Sequence, residues 1–170
     1  MNRFLSLFVL VLFLISPKTL AQDTLISAAE TLAFGLFTST EVAKYSRGAT
    51  SNAPPVDAVT KYRFREFTSQ IEMVIGQEFG IEYQVNRKPR GRPIEITTVI
   101  HFPEPGLVHP RGHTYLKSEE TKMVKIGYPH LHGYGFDEEW ELVPGKWVFE
   151  VWHKKAKLVS KTFTVTGASS

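Results

Sequence analysis

The sequence predicts an all-β protein: a single antiparallel β-sandwich of about seven or eight short strands behind a cleaved signal peptide. Three observations carry that prediction. Apolar residues recur with period two through most of the chain. The stretches between these segments are rich in proline, glycine and charge. The closing stretch, His132–Thr166, holds two alternating segments on either side of a proline-glycine turn.

Met1-Asn2-Arg3 supplies a short positive start, and Phe4–Ile15 is apolar except for Ser6. That run is about a dozen residues, against the ~20 that a bilayer-spanning helix needs. Ser16-Pro17-Lys18 breaks it, and Thr19 and Ala21 place small residues at the −3 and −1 positions of a cleavage site. The pattern is that of a secretory signal peptide over residues 1–21, cut after Ala21. Export to the bacterial periplasm follows. The mature chain, residues 22–170, is expected as one sandwich domain with its core over roughly 32–166 and no membrane span.

Losing Arg3 and Lys18 takes the formal net charge from +3 to +1. So balanced a chain makes no global electrostatic case for nucleic acid or an anionic membrane. The chain has no cysteine, so stability rests on packing rather than on disulfides.

Along the mature chain, Asp23–Thr31 suits a short helical turn, because Ala and Leu tolerate one. Strands are expected at Leu32–Ser39, Tyr62–Phe67 and Gln70–Ile75, with Ser46–Pro55 an exposed loop. Phe79, Ile81, Tyr83 and Val85 share one parity, opposite Glu82 and Gln84. Asn86–Pro93 reads as a charged turn. Ile94, Ile96, Ile100 and Phe102 share the next face, with Glu95, Thr97 and His101 opposite. Pro103–Lys117 is a third break, followed by strands near Met123–Ile126 and Tyr134–Phe136. Val143-Pro144-Gly145-Lys146 fits a type II turn, proline presetting φ and glycine accepting a positive φ. Trp147, Phe149 and Val151 then face inward, with Glu150, Trp152 and Lys154 opposite. Phe163 and Val165 close the core. Lys161 shares their parity and Leu158 does not, which calls for a bulge or rim position near Ser160.

Four segments resemble a bacterial family of unknown function whose members are small and usually exported. They are QEFGIEYQV (Gln77–Val85), FPEPGL (Phe102–Leu107), FDEEWELVPGKW (Phe136–Trp147) and FEVWHKKAKLVSKTFTV (Phe149–Val165). The shared ending is an aromatic-acidic stretch, then W-E-L-x-P-G-x-W, then an F-x-V strand. The resemblance spans about Gly35–Val165. It implies an immunoglobulin-like sandwich and supplies no activity, ligand or catalytic residue.

Four patterns could carry chemistry. His109 and His113 sit in HPRGH, His130 and His132 in PHLH; imidazole binds Zn²⁺ and Cu²⁺, and an exported protein meets both. The competing reading is loop histidines on a wet rim. The stretch Tyr134 to Glu141 combines three aromatics with four carboxylates and could line a carbohydrate or peptide cleft. The structural reading, which the residues favour, puts Tyr134, Phe136 and Trp140 in the core or at a corner. Clustered carboxylates on one segment do not supply the separated pair that glycoside hydrolysis needs. Lys61-Tyr62-Arg63-Phe64-Arg65 alternates cations with aromatics, as a strand with Tyr62 and Phe64 inward would. Trp152, out of phase with Trp147 and Phe149, is either an exposed anchor or packed under a loop.

No nucleophile elbow, helix-borne metal motif or phosphate-cradling glycine loop is present. The expected function is therefore a non-enzymatic binding module without a cofactor, with Tyr134, Trp140 and Trp152 as candidate ligand contacts. Its expected partner is an envelope protein or polysaccharide and not nucleic acid. The alternative is periplasmic Zn/Cu binding through His109, His113, His130 and His132.

Overall fold

The computed structural model describes residues 28–43 and 58–167. The signal peptide, its cleavage point and the loop Ser46–Pro55 lie outside these residues. So does most of the helical turn expected over Asp23–Thr31. Its end, Ala29–Thr31, is instead strand, because Ala29, Glu30 and Thr31 pair with Val85, Gln84 and Tyr83.

The described residues hold eleven strands. They are β1 Ala29–Ala43, β2 Ala58–Glu66, β3 Gln70–Glu72, β4 Glu78–Val85, β5 Pro93–His101, β6 Leu107–Val108, β7 Thr114–Tyr115, β8 Lys117–Lys125, β9 Pro129–Gly135, β10 Gly145–His153 and β11 Ala156–Thr166. A 3-10 turn, Glu139–Glu141, is the one helical element among them. Strands β2-β1-β4-β9 form one sheet, β3-β11-β10-β5-β8 the other, and β6-β7 a small separate hairpin. The count exceeds the seven or eight expected chiefly because the break Pro103–Lys117 contains β6 and β7, while the strand expected over Gln70–Ile75 shortens to the three-residue β3.

The sandwich is also not purely antiparallel. β3 runs parallel to β11, with Ile71 opposite Val165. Alternation reports which face a residue takes, not the direction of its neighbour, so period two cannot reveal this pairing.

The core lies between the two sheets. Phe79, Ile81, Tyr83 and Val85 of β4 are fully buried, as are Trp147, Phe149 and Val151 of β10 and Phe163 of β11. Phe79 stands at the centre, its ring centroid 5.3 Å from Phe136, 5.7 Å from Trp147, 5.5 Å from Phe149 and 5.4 Å from Phe163. The edge-on and tilted geometries suit the ring quadrupoles.

The bulge expected near Ser160 falls at Leu158: Val151 pairs with Val159, but Trp152 pairs with Lys157. Lys161 does point inward, at the rim, where its Nζ lies 3.3 Å from the centroid of the Phe34 ring. Burial holds its ammonium below the usual lysine range.

The expectation for β2 is reversed. Phe64 pairs with Phe37, which pairs with Glu78 on the outward parity of β4. Tyr62 and Phe64 therefore lie on the outer face, edge-on to Phe37 at 6.2 and 6.0 Å. Two paired glycines, Gly80 and Gly133, make room there. A Cβ on Gly133 would stand 2.7 Å from the Phe37 ring. β2 is an edge strand opposite the short β3, so Lys61, Arg63 and Arg65 overhang into solvent instead of meeting a second sheet.

Candidate functional site

The outer face of the five-stranded sheet is built by the parity that fills the core. With Phe149 and Val151 inward, Glu150 and Trp152 must point outward. Register then sets their neighbours: Glu150 lies beside Val99, Trp152 beside Thr97, and Val148 beside His101. On the far side of β5, His101 lies beside Lys117 and Val99 beside Glu119. These residues other than Val148, with Lys154, line an open depression of about 310 Å³.

Glu150 organises this face. It is 6% exposed, and its carboxylate accepts from Lys157 Nζ at 2.6 Å, Trp152 Nε1 at 2.9 Å and His101 Nε2 at 3.1 Å. Burial pushes its carboxyl up. The hydrogen bonds from Lys157, Trp152 and His101 outweigh burial, so it sits below its usual range. Those three charge-assisted or indole donors offset the desolvation of a buried charge. The Trp152 indole is thereby fixed by its N–H edge, and Lys157 Nζ stands 5.3 Å from its ring. A rigid aromatic, the Thr97 hydroxyl and flanking cations form a surface suited to holding a ligand rather than transforming one. The sequence reading found Trp152 and missed Glu150 and His101. Their outward parity was the available signal.

The other candidate residues lie elsewhere. Tyr134 is 3% exposed and donates to Glu141 Oε1 at 2.8 Å. Burial, reinforced by Glu141, lifts its phenol above the ordinary range. Glu141 is itself buried, and its Oε2 accepts from the backbone N–H groups of Asp137 at 2.7 Å and Glu138 at 2.9 Å. It holds the chain at the start of the 3-10 turn and is not aimed into a cleft. Trp140 is half-buried, 4.8 Å from the His109 ring and 6.3 Å from Tyr115, so it joins the turn to the β6-β7 hairpin. Tyr134, Trp140 and Trp152 thus belong to the core, one end of the sandwich and one outer face.

The four histidines do not form one cluster. His109 Nδ1 accepts from Arg111 N–H at 3.0 Å, inside the β6-β7 loop that also carries the exposed His113. His130 and His132 share the inward face of β9, opposite Tyr83 and Ile81. His130 Nε2–H donates to Lys125 O at 3.0 Å, and His132 Nε2–H to Val99 O at 3.1 Å. Among the described residues no group of three or more His, Cys, Asp or Glu is placed to hold a metal ion. Nor is any helix there long and apolar enough to cross a membrane.

Two facing sheets around an aromatic core, joined by crossings such as β4 to β5, β8 to β9 and β9 to β10 and edged by a parallel β3, define an immunoglobulin-like β-sandwich. The chain belongs to the family of the domain of unknown function DUF3859, which matches residues 18–165. An immunoglobulin-like protein from Pseudomonas aeruginosa, known from its crystal structure, aligns with a TM-score of 0.56 and 24% identity over 79% of this chain and 90% of that one. The DNA-bound alkylpurine DNA glycosylase AlkC of Pseudomonas fluorescens aligns at a TM-score of 0.35 and 13% identity, over 57% of this chain and 27% of that one. The first likeness supports the fold; the second is too slight to support anything. No curated protein matches the sequence.

Proposed function

We propose that the protein is an exported, non-enzymatic binding module of the bacterial periplasm. Its partner, an envelope protein or polysaccharide, is held on the outer face of the five-stranded sheet. One observation carries this reading: Trp152 lines an open depression with its indole N–H locked by the buried Glu150. A large ring already ordered before binding loses little conformational entropy when a partner covers it. The carboxylates of the Tyr134–Glu141 stretch support the non-enzymatic reading, since Glu141 is spent on Tyr134 and on backbone N–H groups.

Trp152→Ala tests it. The side chain lies on the outer face but donates to the buried Glu150, so the protein should stay folded while losing about 1.5–3 kcal/mol in a urea titration. Partner recovery in a crosslinked pulldown from the envelope fraction should fall at least about tenfold. Full recovery with the variant would remove this face from consideration. Export has its own readout. Protein released from the periplasm by osmotic shock should have the intact mass of a chain starting at Gln22; an uncut chain held in the membrane fraction would contradict the reading.

A further inference from the structure

The nearly neutral chain is sorted by its fold into a basic end and an acidic end. Three connections meet at one end of the sandwich: β4 to β5, β8 to β9, and β10 to β11. Register places them together, because Val85, Pro93, Lys125 and Pro129 all lie in the terminal pairs of their strands. Gly91 N–H donates to Ile126 O at 2.8 Å, Gly127 N–H donates to Val85 O at 2.9 Å, and His153 Nδ1–H donates to Glu95 O at 2.8 Å. The first connection, Asn86–Arg92, exposes Arg87, Lys88, Arg90 and Arg92. The third, Lys154–Lys155, exposes two more lysines, and Lys157 at the start of β11 is exposed beside them. None of the three connections contains Asp or Glu. Among the described residues only Lys157 of these seven cations is engaged in a salt bridge, to Glu150. The opposite end carries the exposed Asp137, Glu138 and Glu139.

We propose that the basic end docks this domain on an anionic lipid bilayer. Two features favour a bilayer surface over a soluble polyanion. Tyr128 stands exposed among the cations, 44% accessible, with the Arg90 guanidinium 4.9 Å from its ring centroid. A phenol ringed by long basic stems suits the headgroup region, where aromatic bodies settle and cationic heads reach phosphate. Finally, the acidic end points the other way, so the molecular dipole holds the basic end toward a negative surface. The Trp152 face lies beside this end and stays open to a partner.

Flotation of the chain beginning at Gln22 with vesicles tests the proposal. The probe is phosphatidylcholine, with and without about one third phosphatidylglycerol. Binding should require the anionic lipid and fade as salt screens the surface. Arg87→Glu/Arg90→Glu/Lys154→Glu, all at exposed turn positions, should lose at least about hundredfold in partition onto anionic vesicles while melting with the parent. Trp152→Ala should bind vesicles as the parent does, which separates this proposal from the partner face. Equal partition onto neutral vesicles would overturn the proposal. So would full binding by the triple variant, or absence of vesicle binding, including the case where a soluble uronic-acid polysaccharide binds instead.

Discussion

Trp147→Ala should cost about 3–5 kcal/mol, among the largest single losses available in this chain. Trp147 is 0% exposed and touches the rings of Phe79, Phe102, Tyr134 and Phe136 at centroid distances of 5.7, 4.9, 5.1 and 5.6 Å. Removing it opens a void that two facing sheets cannot close, since each is tied by ladder hydrogen bonds on both sides. Its Nε1–H also donates to Val143 O at 3.0 Å, which pins the connection leading into β10. For a domain of this size, stable by roughly 5–15 kcal/mol, the loss takes a large part of the total. The melting midpoint should fall by roughly 10–15 °C. Trp147→Phe separates the two roles: the packing is mostly kept, the hydrogen bond goes, and the loss should be less than half as large. Urea midpoints at constant slope measure both. A Trp147→Ala protein within about 1 kcal/mol of the parent would mean that this ring does not fill the core.

That role was legible in the sequence. Trp147, Phe149 and Val151 alternate with polar or amphipathic neighbours, and alternation maps directly onto the two faces of a strand. The resemblance to a family of unknown function pointed the same way, and the immunoglobulin-like sandwich is what the chain forms. Features that alternation does not encode were missed. The parallel pairing of β3 depends on strand direction. The outward placement of Tyr62 and Phe64 depends on which sheet lies opposite β2, and nothing in Lys61–Arg65 specifies that.

The candidate surface was half legible. Parity set Trp152 outside the core but could not say what it would touch. That contact is long-range: His101 reaches Glu150 from β5, and Lys157 reaches it from across the hairpin. In the Tyr134–Glu141 stretch the favoured structural reading agrees with the fold: its rings and acids resemble a cleft in one dimension, yet Tyr134 and Glu141 satisfy each other inside the fold. Charge is legible only in part for the same reason. A sum over the chain discards position, and turns that are distant in sequence gather at one end of the sandwich.

The histidines give the second large expectation, and it concerns pH. His132 looked like a rim residue, but its parity on β9 sends it inward beside Phe149, 5.0 Å between ring centroids. Burial, with a smaller contribution from Lys122, holds its imidazole down at about 3, against the pull of its bond to the Val99 carbonyl. The unfolded chain takes up that proton near pH 6.5. Below pH 6.5 the unfolded state therefore binds a proton that the native state refuses, and stability must fall with pH. The full stability is present above pH 6.5. The loss runs at about 1.4 kcal/mol per pH unit and amounts to roughly 2.5–3 kcal/mol by pH 4.5. Glu150 titrates in a different window. Its carboxyl lies below the usual 4.5, so its contribution is present above that value and disappears only as pH falls further. Urea unfolding at pH 7 and pH 4.5 isolates the histidine. His132→Leu should be nearly flat between the two, whatever its baseline stability, while the parent loses the stated amount. Equal slopes in the two proteins would mean that His132 takes its proton in the folded state, and that the space between β9 and β10 is open to water.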